Sequence, residues 1–167
     1  GVKIDRRAEG SQSAGSIRIS AAEKGATQPF PNGVDRFGAP LYVKVPVRYL
    51  MLLNDKLPSS EAVYAAIVHE LAHLYCGHLG TPNENWWPDR RGLNNLSEEF
   101  EAESVSYLVC SRLGIETRSK EYLSGYLENY RTVPPISLDC VMKTAGLIET
   151  MTSRKMKVRE GKRSAEG

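Results

Sequence analysis

The chain lacks any run of about 18 apolar residues, so the sequence predicts no transmembrane helix and no contact with a membrane. The first 20 residues contain no apolar segment, and we therefore expect no signal peptide. Cysteine is scarce, since the chain has only Cys76, Cys110 and Cys140. Their odd number and wide spacing favour buried, reduced thiols over a disulfide framework. Together these absences predict a cytoplasmic protein.

An excess of charge is also lacking, because the 167-residue chain has a formal net charge of only +2. The charge is unevenly placed, since residues 153–167 hold six basic residues against two acidic ones. This segment has too few apolar residues to fold by itself. We expect a disordered basic tail over 153–167, and a weak nucleic-acid contact through it is the alternative to a solvated tail.

The composition, 41% apolar and 25% charged, is typical of a globular protein. The length predicts a single domain over residues 1–152, with its core at about 41–130. Residues 1–40 are rich in Gly, Ser and Pro and are predicted to be loop apart from one strand at 15–20. Another strand is expected at 41–47, and helical patterns follow. Strands followed by helices predict an α+β fold with a small N-terminal sheet packed on a helical core.

Turn and cap residues place the helices. The first helix begins after Pro58 with Ser59 or Ser60 as its N-cap, and Gly77 ends it after about Cys76. Ser97 is the predicted N-cap of the second helix. The later helices are expected over residues 97–113, 120–130 and 136–151.

The segment His69-Glu70-Leu71-Ala72-His73 indicates a metal site on the first helix. Two histidines four apart on a helix lie within about 40° of each other and about 6 Å apart along its axis, so both imidazoles can bind one ion. A zinc ion with three protein ligands keeps a fourth position open and lowers the pKa of its water toward about 7. Glu70 follows His69 by about 100° and can reach that water, which makes Glu70 the candidate general base. One Zn²⁺ per chain is predicted, with Mn²⁺ and Fe²⁺ as alternatives.

The remaining residues on the histidine face of this helix are small, whereas the opposite face carries large apolar side chains. Such a helix is anchored in a core by one face and leaves room on the other for an ion and a close-packed neighbour. The small residues are Ala62, Ala65, Ala66, Ala72 and Cys76.

The third ligand is expected on the second helix, where residues 98–103 include four glutamates. Glu99 and Glu103 lie at i and i+4 on one face. We predict that Glu99 binds the metal and that Glu103 accepts a hydrogen bond from a ligand histidine. Glu103 is also the next candidate for the third ligand. A solvated acidic first turn, favoured by the helix dipole, is the alternative interpretation and accounts best for Glu98 and for Glu101.

His78 is the last candidate for the third ligand. It lies nine residues after His69, about 180° away on a continued helix. Only a break in the helix at Gly77 would turn it inward.

At these residues the chain resembles the ImmA/IrrE-type metallopeptidase family, and it is similar to the peptidase-like domain of ArdC-type antirestriction proteins. The resemblance covers about residues 41–130. It rests on Ile67-Val68-His69-Glu70-Leu71-Ala72-His73, on Gly77-His78, and on the glutamate-rich segment 98–103 with the residues that follow it.

The resemblance implies a minimal zincin-like fold, a zinc site of His69, His73 and a glutamate, and Glu70 as the catalytic residue. The family pattern Glu-x-Glu-Ala-Asn-x-Phe-Ala places its first glutamate at Glu99, whereas Glu103 stands where the family has Asn. Family members often cleave a repressor or regulator, so a specific protein is the implied substrate.

A hydrolase of this kind also needs a donor near the developing oxyanion. No motif selects one among the candidates, which are His78, Arg90, Arg91, Tyr107 and Tyr122. Trp86 and Trp87 either line a substrate cleft or fill the core, and we favour the core because tryptophan is large and apolar. Cys76, one turn after His73, is the cysteine expected nearest the metal.

The sequence thus predicts a zinc-dependent endopeptidase acting on a specific protein. The alternative is a metal-stabilised regulator or DNA-binding module in which Glu70 has no catalytic role. Its DNA binding would be salt-sensitive and would depend on the basic tail.

Overall fold

A computed structural model describes residues 1–8, 14–20, 25–130, 132–153 and 158–159. Within these residues, strands come first and helices follow, which confirms the predicted α+β class. The elements are β1 (Val2–Arg7), β2 (Gly15–Ile19), β3 (Thr27–Val34), β4 (Pro40–Pro46), β5 (Tyr49–Asn54), α1 (Ser60–Tyr75), α2 (Asn95–Arg112), α3 (Ser119–Tyr130) and α4 (Leu138–Ser153).

The sheet beside the metal-motif helix has three strands in the order β1-β5-β2, with β5 in the centre. β1 runs parallel to β5 and β2 antiparallel to it. The central position explains the continuous apolar run of β5, because a strand paired on both sides and covered by a helix buries most of its side chains. Met51 and Leu53 are almost fully buried and pack with Ala66 of α1. β2, at the edge, lies against α1.

The sequence analysis missed β1, because it treated the first residues as part of a loop. Val2 and Ile4 alternate with Lys3 and Asp5, which is a strand pattern. The signal is short, and β1 becomes a strand through its pairing with β5.

The loop predicted around the prolines of residues 25–40 is also wrong. β3 includes Pro29 and Pro31 and pairs with β4 in a two-stranded sheet. Each strand of such a sheet has an unpaired edge, so a proline can occupy a position where no ladder N–H is needed. The register shifts between Pro31 and Val34, where the pairing is irregular.

The helical core lies between α1, α2 and α4. One cluster of fully buried residues joins the helices. It contains Ala72 of α1, Cys76 at the C-terminal cap of that helix, Val105 and Val109 of α2, and Ala145 of α4. The small residues of α1 therefore permit the close approach of neighbouring helices. Of the predicted small-residue face, Ala72 and Cys76 serve this packing, whereas Ala66 packs against Met51 and Leu53 of β5.

The first helix begins as predicted, since the Ser59 side chain accepts a hydrogen bond from the Ala62 N–H. The predicted cap of α2 is wrong. Asn94 is the cap, and its side chain accepts from the N–H of Ser97 at 2.8 Å. The helix therefore starts at Asn95, because Asn caps as well as Ser does and stands three residues earlier.

Most of the predicted basic tail lies outside the described residues. Of residues 153–167, the structure describes Ser153 at the end of α4, and then Val158 and Arg159. The Arg159 guanidinium lies 5.3 Å from the ring centroids of Tyr75 and Trp87. Among the described residues, no helix combines the length and the apolar character needed to cross a membrane.

Candidate metal centre

Helices α1 and α2 bring His69, His73 and Glu99 together, which are the three residues predicted as ligands. The Nε2 atoms of the two histidines are 3.2 Å apart. Glu99 Oε2 lies 3.6 Å from His69 Nε2, and Glu99 Oε1 lies 3.6 Å from His73 Nε2. All three side chains are half-buried. Two ring nitrogens and a carboxylate thus face a common point that remains accessible from solvent.

These separations fit a zinc ion. Ligand atoms about 2.0–2.1 Å from zinc at tetrahedral corners lie about 3.3–3.4 Å from one another. The observed distances between ligand atoms, 3.2 and 3.6 Å, lie on either side of that value. Two histidines and one glutamate are also a known ligand set of catalytic zinc, in which the fourth position stays open.

Glu103 lies behind His69. Its Oε1 is 3.5 Å from His69 Nδ1, on the side of the ring away from the ligand group. Glu103 is not part of the ligand group, although it was the next candidate for the third ligand. This contact is an ion-pair distance and not the predicted hydrogen bond, so the role of Glu103 in orienting the His69 ring stays a prediction.

His78 lies behind His73 and is not a ligand candidate in this arrangement. Its Nδ1 is 3.0 Å from His73 Nδ1, whereas the Nε2 of His73 faces His69. The helix does break at Gly77, which has φ of +83°. The N–H of Gly77 bonds to the Leu74 carbonyl and that of His78 to the His73 carbonyl, which is a Schellman motif. This motif folds His78 back over the last turn of α1, next to His73.

The alternative interpretation, a solvated first turn, is wrong for Glu101, since its side chain is fully buried. Its Oε2 accepts from His78 Nε2 at 3.0 Å and from Arg90 at 2.6 Å. Its Oε1 accepts from Arg90 and from the backbone N–H of Ser137, each at 2.7 Å. Burial alone raises the pKa of Glu101, but the hydrogen bonds from His78, Arg90 and Ser137 outweigh it and hold the pKa at about 2. Its charge is therefore kept and fully paired.

The roles of Glu101 and Arg90 were missed by the sequence analysis. One signal was present for Glu101, because it stands between Phe100 and Ala102, which are both buried. Arg90 lies within the polar loop before α2 and carries no sequence signal of its own. Its role depends on the loop meeting α2, which local sequence does not predict.

Glu70, the predicted general base, lies on the buried side of α1 under the edge strand. Its side chain is 6% exposed, and its Cγ approaches the Cα side of Gly15 in β2. Burial raises the pKa of Glu70 to about 7, although the charge of His69 and a hydrogen bond from the backbone of Ile17 act in the opposite direction. A carboxyl group with such a pKa can both take up and release a proton near neutral pH.

The two candidate ligand histidines differ electrostatically. Burial lowers the pKa of His69, but the carboxylates of Glu99, Glu103 and Glu70 outweigh burial and raise it above the usual 6.5. Burial and the nearby His69 lower the pKa of His73 to about 4. The hydrogen bond with His69 lowers the pKa of Glu99. The lowered pKa values keep His73 neutral and Glu99 ionised at neutral pH, which are the forms that bind a metal ion.

Of the remaining oxyanion candidates, the two arginines are ion-paired and the two tyrosines are exposed. Arg90 is paired with Glu101 and Arg91 with Asp89. Tyr107 and Tyr122 are exposed on α2 and α3. For the tryptophans, the preferred interpretation holds for Trp87, which is buried and donates from Nε1 to the Gly80 carbonyl at 3.0 Å.

A second group of metal-binding side chains is formed by Cys76, Glu101 and Cys140, all buried. The Arg90 guanidinium already binds both oxygens of Glu101. A cation there would displace an existing positive charge from the same carboxylate. This group is therefore a poorer metal site than that of His69, His73 and Glu99. Cys76 contacts Thr144 and is not part of the histidine group.

Comparison of the chain with protein-family models, with curated proteins and with solved structures gives no match. The residues of the site are therefore what indicates the function.

Proposed function

We propose that the protein is a zinc-dependent endopeptidase of zincin-like fold, with one Zn²⁺ held by His69, His73 and Glu99 and with Glu70 as the general base. The single observation that carries this proposal is the convergence of two imidazole nitrogens and one carboxylate at 3.2–3.6 Å, on the helix that also bears Glu70. The sequence resemblance to ImmA/IrrE-type metallopeptidases points to the same chemistry.

A divalent cation bound by these residues supplies Lewis acidity toward the scissile carbonyl and the attacking water. Glu70 takes the proton that the water loses on attack, and it delivers this proton to the nitrogen of the leaving amine. The raised pKa of Glu70, about 7, suits a group that must both accept and donate a proton near neutral pH.

The edge strand β2 supports peptide hydrolysis over hydrolysis of a small substrate. Within the part of the chain that the structure describes, β5 is its only strand partner, and β2 runs beside the helix that carries Glu70. An unpaired strand edge can bind an extended peptide through main-chain hydrogen bonds. The proposed substrate is therefore an extended segment of a protein, and the family resemblance favours a repressor or regulator.

The test compares the wild-type chain with Glu70→Gln, each reconstituted with one equivalent of Zn²⁺ and incubated with a proteome-derived peptide library read by mass spectrometry. We expect new cleavage products with the wild type and none with Glu70→Gln, because the amide cannot take up the proton. Both proteins should bind zinc equally, since Glu70 is not a ligand.

Cleavage that persists in Glu70→Gln would contradict the role of Glu70. A wild type that binds zinc but produces no cleavage would contradict the peptidase proposal and leave a metal-binding protein. Reconstitution with Mn²⁺ and Fe²⁺ in parallel tests the choice of metal, since histidine–carboxylate sites bind several divalent ions.

A further inference from the structure

All three histidines of the chain lie in one row. His69 and His73 face each other through Nε2, and His73 and His78 face each other through Nδ1 at 3.0 Å. Neighbouring rings meet at these nitrogen atoms with their planes steeply inclined, at 68° and 70°. The row ends at the carboxylate of Glu101, 3.0 Å from His78 Nε2.

The proton positions along this row follow from its buried end. Glu101 is ionised and accepts from Arg90, so it has no proton to give and can only accept from His78. His78 therefore donates from Nε2, and in a neutral imidazole, which has one N–H, this is the only proton on the ring. Its Nδ1 is then a bare acceptor.

The same reasoning assigns the tautomer of His73. Since Nδ1 of His78 can only accept, Nδ1 of His73 must donate, and the single proton of a neutral His73 is on Nδ1. Its Nε2 is then a free lone pair directed at His69 and Glu99. This is the tautomer that a metal ligand binding through Nε2 requires.

We propose that His78 is a positioning residue, whose Nδ1 accepts the hydrogen bond that holds His73 in the metal-binding tautomer and orientation. The inference rests on the proposed function, because it assigns His78 a role toward the metal held by His69, His73 and Glu99. Each ligand histidine then has a carboxylate of α2 behind it. Glu103 contacts His69 directly, and Glu101 reaches His73 through His78.

A second imidazole, that of His78, lies between His73 and Glu101. The Glu101 side chain is occupied by Arg90 and by the N–H of Ser137. The His78 side chain, which is 1% exposed, contacts both His73 and Glu101. The positive φ of Gly77 turns the backbone so that His78 reaches this position. A solvent-exposed histidine could exchange its hydrogen bonds with water, but this one is shielded from solvent.

Two substitutions at His78 separate positioning from a merely structural role. Asn places an amide oxygen near the position of Nδ1, so His78→Asn keeps the acceptor for His73 and loses the donor to Glu101. Gln reaches the position of Nε2, so His78→Gln keeps the donor to Glu101 and loses the acceptor for His73. Thr144→Val is the control, because it removes a buried hydroxyl from the same core at a residue outside the row.

Zinc affinity of each full-length variant is measured by competition with a chromophoric chelator. We expect His78→Gln to bind Zn²⁺ about 10–100-fold more weakly than the wild type, and His78→Asn to recover most of that loss. Thr144→Val should keep the affinity of the wild type. Equal affinities for wild type and His78→Gln, or a loss confined to His78→Asn, would overturn the inference while leaving the metal site intact.

A second readout uses the wild type alone and does not depend on any variant folding. With ¹⁵N-labelled histidine in the zinc-loaded protein, long-range ¹H–¹⁵N correlations report the tautomer of each of the three rings. We expect His78 to carry its proton on Nε2, and a proton on Nδ1 of His78 would overturn the inference. A wild type that binds no zinc would instead contradict the proposed function, and the inference with it.

Discussion

At the scale of single residues, the glutamates of α2 differ in role although they are close in sequence. Glu99 lies beside the Nε2 atoms of His69 and His73, and Glu103 contacts Nδ1 of His69. Glu101 is buried and accepts hydrogen bonds. Helical spacing selects Glu99 and Glu103 from the four glutamates, because both lie on one face of the helix. It could not assign Glu101, whose partners Arg90 and Ser137 come from a loop and from the start of another helix.

The buried ion pair of Glu101 with Arg90 predicts a large loss of stability in Glu101→Gln. The amide loses the charge and presents an NH₂ group to donors, and breaking a buried pair typically costs about 3–5 kcal/mol. Urea unfolding of both proteins at pH 7 measures the difference. The control is Asp89→Asn, which breaks the exposed pair with Arg91 and should cost much less.

The same pair makes a pH-dependent prediction with a definite sign. The pKa of Glu101 is held at about 2, below the ordinary 4.5, so the ionised form is the one that stabilises the fold. The advantage of the wild type over Glu101→Gln should be complete above about pH 4.5 and should shrink as the pH falls toward about 2. An advantage that is unchanged between pH 6 and pH 3 would contradict the assigned pKa.

At the scale of elements, the end of α1 decides where His78 lies. Both α1 and α2 end in a Schellman motif around a glycine of positive φ, Gly77 and Gly114. A Cβ at Gly77 would clash with the carbonyl oxygen of Pro88, so the backbone would have to move. A Cβ at Gly114 would meet nothing within 4 Å. The two positions share their backbone strain and differ in their surroundings.

This difference predicts unequal effects of the same substitution. Gly114→Ala should cost about 1–2 kcal/mol, which is the left-handed strain alone. Gly77→Ala should cost clearly more, because the loop that holds Pro88 must also move away. Urea unfolding of the two variants measures both losses of stability. Equal losses would show that the contact with Pro88 adds nothing to the destabilisation of Gly77→Ala.

The ends of the helices and strands show which parts of the fold the local sequence predicts. The cap at Ser59 and the break at Gly77 follow from local chemistry and were predicted. The start of α2 is harder to predict, because Asn94 and Ser97 are both good cap residues. β1 depends on pairing with β5, which is distant in sequence, and such contacts leave only a weak local pattern.

At the scale of the whole molecule, the site lies where several segments meet. α1 supplies the motif, α2 the carboxylates, the loop before α2 supplies Arg90, and the N–H of Ser137 comes from the start of α4. The predicted motif residues and Glu99 needed only helix geometry and one assumed helix contact. The polar groups behind them needed the tertiary arrangement, which is why the sequence named His78 as a ligand candidate and did not predict its contact with His73.

The central claim is that one zinc ion is bound by His69, His73 and Glu99, and the most direct test is the zinc X-ray absorption spectrum of the stoichiometrically loaded wild-type protein. We predict one zinc per chain with only nitrogen and oxygen neighbours at about 2.0–2.2 Å, including the multiple scattering of two imidazoles. Sulfur neighbours at about 2.3 Å would place the metal at Cys76 and Cys140 instead. That result, or the absence of stoichiometric binding, would contradict the account.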